Sequence, residues 1–451
     1  MPLRSPASLL PAAVTPLRLA RASVVVAALV ALVLKALMAS RTLGPVDVIY
    51  FHGFSKAILH VGPYQMYGLS RDQLPNLPVY NHPPLAGWML WLLGHIARHG
   101  IAFSTLIRLP SVTADFFSAI VVFEICRRRG PLLAAVGAGI AVSASPVLIA
   151  ISAYHGNTDP ICTMFALAAA WLLADRKLPL LGGATAALAI SIKLVPIVVL
   201  PLLFVGAIRG GRRTTVRYLI GFAVVFLPLW VPALVTQPMG VLHNVLEYSG
   251  GDFGGWGLIE VASLLGAPVG FQQFLHGNGH FVLVLGCMAF GAVLAWYRPR
   301  QLPVVTGLTM ALLLFLSTGS GVQYLAWAAP SLLAVGLWPG LWYNAMAGVF
   351  EVMVFTRWSG GFPWYQVKHA TAWTDGELFL ALVVWVILGI AIGYGVWVVL
   401  RGAVSGTGAG GGGAEPVSTA EGGGADPAPA PDRERRPSGT LSTGTARLNP
   451  A

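Results

Sequence analysis

Across its 451 residues the chain is 56% hydrophobic and only 10% charged, with a formal net charge of +11 and a mean hydropathy of +0.73. A water-soluble protein of this size carries about a quarter charged residues, so the composition excludes a soluble globular domain and describes a chain solvated by lipid. The Lys and Arg residues gather largely in short clusters between apolar runs, which argues against a nucleic-acid partner and follows the positive-inside pattern of membrane proteins.

Taken in chain order, residues 1–21 read as a cytoplasmic segment carrying Arg4, Arg18 and Arg21. The run VVVAALVALVLKALMA that follows has no small-residue cleavage site and reads as an uncleaved first transmembrane helix. The basic clusters Arg127–Arg129, Asp175-Arg176-Lys177, Arg209 with Arg212, Arg213 and Arg217, and Arg298-Pro299-Arg300 are placed on the cytoplasmic side. Helices are then expected near 22–40, 105–126, 131–152, 159–174, 178–191, 195–208, 217–236, 280–297, 303–318, 323–338, 341–356 and 377–400. The expected fold is an all-α polytopic membrane protein with about twelve spans and both termini inside, its transmembrane domain covering 22–400. Between two basic clusters, 178–208 cannot be a single crossing. Two short spans with Lys193-Leu194-Val195-Pro196 at their outer apex remove the conflict and put Lys193 near the external surface.

Two large external loops follow from this arrangement. The first, 41–104, holds Asp47 and a stretch, YNHPPLAGWMLWLLGHIARHG, whose apolar part is short for a span and reads as an interfacial helix. The second, 237–279, is rich in Gly and aromatic residues, and a smaller Trp-rich segment begins at Arg357. The tail 401–451 is dominated by Gly, Ala, Pro, Ser and Thr and is expected to be disordered on the cytoplasmic side. Its GTGAGGGGAE run follows no strand and is linker rather than a phosphate-binding loop. Cys126, Cys162 and Cys287 lack metal-ligand spacing and read as small buried hydrophobes.

Under this topology the unusual polar residues Asp47, His82, His155, Asn157, Asp159, Lys193, Gln323 and Tyr324 share the external ends of helices. A common site requires such sharing and scattered loop residues do not, and ionisable groups at a membrane are functional candidates by default. In YHGNTDP (154–160), Gly156 permits a tight turn and Pro160 suits a first helical turn, so Thr158 or Asp159 serves equally well as an N-cap. Asp115 lies inside a span and needs a partner, for which Arg108, two turns outward, is the candidate.

Five segments in order carry a resemblance: an Asp soon after the first span (VDVIYFHGFSKAILHVGPYQMY), Tyr-x-His-Pro-Pro-Leu, His-Gly-Asn-x-Asp, Lys-x-x-Pro in a short hairpin, and Val-Gln-Tyr-Leu-x-Trp-x-x-Pro. Over about 20–400 the chain resembles the GT-C-fold glycosyltransferases, membrane enzymes that take sugars from polyprenyl-phosphate carriers, and is most similar to actinobacterial-type mannosyltransferases. The resemblance implies an inverting transfer of mannose to a lipid-linked or cell-envelope glycan on the external face of the plasma membrane. It also implies Asp47 as the base, although Val48 stands where many relatives have an aromatic or a second acid. Phosphate of the donor would fall to Lys193, with His82, Arg108 and Arg357 as further candidates. His155, Asn157, Asp159, Gln323 and Tyr324 are candidates for sugar or acceptor binding. No cofactor is expected; a divalent cation finds no support in the spacing of His and carboxylates. The alternative from another class is a transporter or lipid-carrier flippase, which calls for pseudo-symmetric halves and broken helices near the midplane.

Overall fold

The computed structural model describes residues 15–248, 257–319, 321–367 and 370–401; the expected tail lies outside them, as does most of the N-terminal segment. Among the described residues the architecture is all-α, and the extended pairing present is an isolated bridge between Gly44 and Gln366. The long helices are α1 (Pro16–Arg41), α2 (Val46–Val61), α3 (Pro84–Ala97), α4 (Leu109–Cys126), α5 (Leu132–Ser143), α6 (Asp159–Ala174) and α7 (Pro179–Ile192). They continue with α8 (Leu200–Arg209), α9 (Arg212–Thr236), α10 (His280–Tyr297), α11 (Leu302–Leu316), α12 (Leu325–Val335), α13 (Leu337–Trp358) and α14 (Asp375–Arg401). Each of the expected apolar segments is therefore helical. Among the described residues 7 helices are long and apolar enough to cross a membrane, and shorter apolar helices of 10–17 residues accompany them.

Burial separates two kinds of helix. In the span Arg212–Thr236 only 17% of the apolar window is covered by protein, whereas in Phe103–Cys126 the share is 67%. The sparsely covered helices expose Val224, Leu227 and Val235 on α9, or Phe379 and Ile390 on α14. An apolar exposed face with no charge belongs against lipid. The core includes the short helices along with α4 and α11: every residue of α12 is buried, as is most of α6. A helix that is apolar all round is one enclosed by other helices.

Polar contacts tie the two ends of this bundle differently. At one end Arg129 forks onto Asp175 with both distances 2.8 Å and reaches the carbonyl of Arg300 at 3.0 Å, while Arg21 and Arg127 share Glu124. The basic clusters thus meet on one face. At the other end Leu43 and Gly44 donate to the Tyr365 carbonyl at 2.8 and 3.1 Å, stitching the chain after α1 to the segment after α13. Asp115 pairs with Lys35 of α1 at 2.7 Å, both side chains being almost fully buried, so the expected Arg108 pairing is corrected. Arg108, nearly two turns away on much the same side, is taken up by Ser104, Thr42 and Ala153, whereas Lys35 meets Asp115 directly from α1.

The first loop holds more order than its sequence suggests. Its segment 46–61 is helical as α2, packed antiparallel on α3: the Ser55 hydroxyl donates to the Leu90 carbonyl at 2.9 Å, and a Cβ on Gly94 would meet Ser55 Oγ at 2.4 Å. With Phe51, Phe54, Ile58, Leu90 and Trp230 the pair builds a second apolar core of its own.

Candidate active site

The chain reaches the site through two backbone devices. After α5, Pro146 cannot continue the hydrogen-bond ladder, and the chain widens into π-type turns over Ile149–His155. Gly156 then closes this stretch at φ +78°, its N–H donating to Ile151 O at 2.8 Å. A Cβ there would lie 2.5 Å from Arg108 Cγ. Gly44, at φ +79°, turns the chain from α1 into α2, and a Cβ there would lie 2.7 Å from the Tyr154 carbonyl oxygen. The two turns bring Asp47, in the first turn of α2, against His155.

His155 Nε2 stands 2.8 Å from Asp47 Oδ2. A carboxylate can only accept, so the imidazole donates from Nε2. Asn157 Nδ2 approaches the same oxygen at 3.4 Å, and its Oδ1 accepts the Thr158 N–H at 2.6 Å and faces Lys193 Nζ at 3.4 Å. Ser111 of α4 holds the Asn157 carbonyl. Asn157 therefore spans the interval between the carboxylate and the cation. Asp47 Oδ1 accepts no hydrogen bond among the described residues, and the side chain keeps 28% exposure. Burial alone would raise the Asp47 carboxyl. His155, by charge and hydrogen bond, and Lys193 beyond it more than offset burial and hold the group below the usual carboxylate range.

Asp159 is a different carboxylate. Its side chain is fully buried, Oδ2 is 2.6 Å from Lys193 Nζ, and Oδ1 accepts from the Trp327 indole N–H. No side-chain cap precedes α6, so this Asp is committed to Lys193 and Trp327 rather than to the helix N-terminus. Lys193 occupies an extended residue at the break between α7 and the turn Val195–Val199. Its ammonium lies 5.4 Å over the Tyr324 ring, which stacks on Trp327 at 4.5 Å. An ammonium has three donors; the contacts to Asp159 and Asn157 leave one toward the aromatic side, and 15% of the side chain stays exposed. Gln323 is half-buried on the same turn as Tyr324.

His82 sits among loop aromatics, 5.0 Å from the Phe51 ring and 5.6 Å from that of Tyr80, with its carbonyl held by Tyr67 Oη at 2.7 Å. Burial, and then the charge of Lys193, lower its imidazole to about 3, so it is neutral. Tyr248, from the second long loop, is hydrogen bonded to Asn81, and burial raises its phenol. Sequence reasoning passed over Tyr248 and Asn81; nothing in their local pattern distinguishes them from loop residues. Trp327 stood in a quoted segment without a role.

The two arginines stand apart. Arg108 is completely buried and donates to the carbonyls of Ser104 and Thr42 at 2.6 Å each, to Thr42 Oγ1 at 2.5 Å and to the Ala153 carbonyl at 3.2 Å. Arg357 forks onto Glu377 at 2.8 and 2.6 Å and donates to the Ala372 carbonyl. These guanidiniums are spent on protein. Among the described residues no group of three or more His, Cys, Asp or Glu could hold a metal ion.

Comparison with known proteins bears on this geometry. The structure of ArnT from Cupriavidus metallidurans in the apo state superposes with a TM-score of 0.50 at 17% identity, over 85% of this chain and 77% of that one. The chain has the GT-C fold. The same protein bound to undecaprenyl phosphate gives a TM-score of 0.48 at 16% identity over 86% and 76% of the two chains. An oligosaccharyltransferase from Archaeoglobus fulgidus gives 0.40 at 12% over 81% and 56%. A family model described as dolichyl-phosphate-mannose-protein mannosyltransferase matches residues 81–235, a stretch that contains His82, His155, Asn157, Asp159 and Lys193 but not Asp47. No curated protein sequence matches the chain significantly.

Proposed function

We propose that this chain is an inverting membrane glycosyltransferase that takes a sugar, mannose, from a polyprenyl-phosphate carrier. It passes the sugar to a lipid-linked or cell-envelope glycan at the external face of the plasma membrane. The observation that carries the proposal is the inequality of the two carboxylates: Asp159 has both oxygens engaged, while Asp47 offers a free oxygen at an exposed edge. Inversion needs a carboxylate to receive the acceptor's hydroxyl proton as the oxygen attacks the anomeric carbon, and Asp47 Oδ1 is free to do so. The departing lipid phosphate needs a cation held in place beforehand, and Lys193, oriented by Asp159 and Asn157, supplies it. The family match over 81–235 and the fold support the donor class. A transporter would place its polar groups near the midplane, whereas these lie at the ends of α6, α7 and α12.

The test is sugar transfer by purified protein from radiolabelled polyprenyl-phosphate mannose. Asp47→Asn, an isostere, is expected to lower turnover by a factor on the order of 10²–10⁴ while thermal stability is retained. Full activity of that variant sinks the base assignment. Lys193→Ala is expected to raise KM for the donor more than that for the acceptor.

A further inference from the structure

The first external loop carries a surface that the catalytic reading leaves unused. Residues 48–71 and 82–114 contain no Asp or Glu, yet they hold Lys56, Arg98 and the histidines 52, 60, 95 and 99. On α2 the exposed positions Ile49, His52, Lys56 and His60 recur at helical spacing, opposite the buried Val48, Phe51, Ser55 and Ile58. On α3 and the turn after it, Trp88 and Leu92 are exposed, followed by Arg98 and His99. Because the two helices run antiparallel, with His52 stacked 4.9 Å from Phe103, His52 and the Arg98–His99 turn share one end of the pair, Lys56 lies near its middle and His60 at the other end.

The level of this surface is set by its neighbours. Within α9, Pro232 has no N–H, so the Pro228 carbonyl lacks its helical donor; Tyr64 Oη fills the vacancy at 3.2 Å, and Trp88 Nε1 donates to that hydroxyl at 3.1 Å. Tyr64 and Trp88 thereby lie alongside a helix whose Val224, Leu227 and Val231 are exposed to lipid. Tyr and Trp with one polar end and one apolar body mark the membrane–water boundary. Exposed Ile49, Trp88 and Leu92 interleaved with cations, with Asp47 in the first turn of α2 as the pair's one acid, are the pattern of a helix pair lying in the headgroup layer.

We propose that the α2–α3 pair is a docking surface for anionic phospholipid headgroups, whose phosphates meet Lys56, Arg98 and the flanking histidines while Trp88 and Leu92 enter the acyl boundary. It seats the loop that carries Asp47 at a fixed height on the leaflet. The proposal rests on the chain's being a membrane protein and stands or falls independently of sugar transfer.

The test uses the full chain in nanodiscs containing a photoactivatable phosphatidylglycerol, with crosslinked peptides mapped by mass spectrometry. Crosslinks are expected in 46–61 and 84–99, competed by unlabelled phosphatidylglycerol and not by phosphatidylcholine or inorganic phosphate. K56Q/R98Q is expected to lower them at least about tenfold for the loss of two permanent charges, and K56R/R98K to retain them. Crosslinks confined to the Arg127–Arg129 and Arg212–Arg217 face overturn the proposal. So do equal competition by phosphatidylcholine, displacement by inorganic phosphate, or undiminished crosslinking in K56Q/R98Q when that variant keeps its thermal stability.

Discussion

Asp47 and Asp159 each lie near the Lys193 cation, but only one of them has an oxygen to spare. Asp159→Asn removes one charge of a buried pair and weakens the hold on Lys193, at a cost of about 3 kcal/mol; a lower unfolding temperature together with a raised donor KM is the expected outcome. Two titratable groups outside the spans, His82 and Asp47, also make a pH signature. His82 binds its proton near 3 in the folded chain and near 6.5 when free, so the unfolded chain takes up the proton first. Stability is full above about 6.5 and declines as pH falls from there toward 3, and His82→Gln is expected to flatten that part of a thermal-shift profile. Asp47, lowered beneath 3.8, contributes stability above that value and loses it as pH falls through its own lower one. Residue identity marked the candidates in the sequence, because charged groups at apolar ends are conspicuous. Which lone pairs are free was not legible, since it depends on Trp327 and His155 reaching across from other elements.

At the scale of elements, apolar length was legible and hydrogen-bond geometry was not. The helical segments follow from runs of Leu, Val and Ala that only internally bonded backbone can carry through lipid. The helix α2 escaped notice because its stripe of Phe51, Phe54 and Ile58 is interrupted by His52, Lys56 and Tyr50, and a mixed helix of 16 residues reads as loop until its partner α3 is known. The widened turns over Ile149–His155 leave no trace in composition; Pro146 and Gly156 mark their limits without specifying the turn between. Those turns aim His155 at Asp47, and the Gly156 conformation ends them. Gly156→Ala demands a positive φ from an L-residue, costing about 1–2 kcal/mol, and presses on Arg108. Its expected signature is a fall in turnover larger than the change in donor KM. Arg108→Lys tests the same alignment: an ammonium cannot reproduce four hydrogen bonds to Thr42, Ser104 and Ala153. Turnover is expected to drop with little effect on donor KM, whereas a phosphate contact would raise KM.

For the whole molecule, sidedness was the principal inference from charge, and the structure gathers Arg129, Asp175 and Arg300 at one end and Asp47, His155 and Lys193 at the other. Cysteines introduced at the exposed Lys56 and Tyr365 are expected to react with an impermeant maleimide from outside intact cells, and one at Arg213 to be protected until the membrane is opened. Reversed labelling inverts the orientation proposed for the enzyme. The interior helices have a further consequence. At 1.5 Å per residue, the 16 residues of α6 reach about 24 Å and the 11 of α12 about 17 Å, both less than the roughly 30 Å of hydrocarbon that α1 and α14 can span. Asp159, which opens α6, and Tyr324, just before α12, are thereby set back from the level that a full-length span reaches on that side. Any ligand that is to meet both side chains has to reach below the level at which the longer spans end.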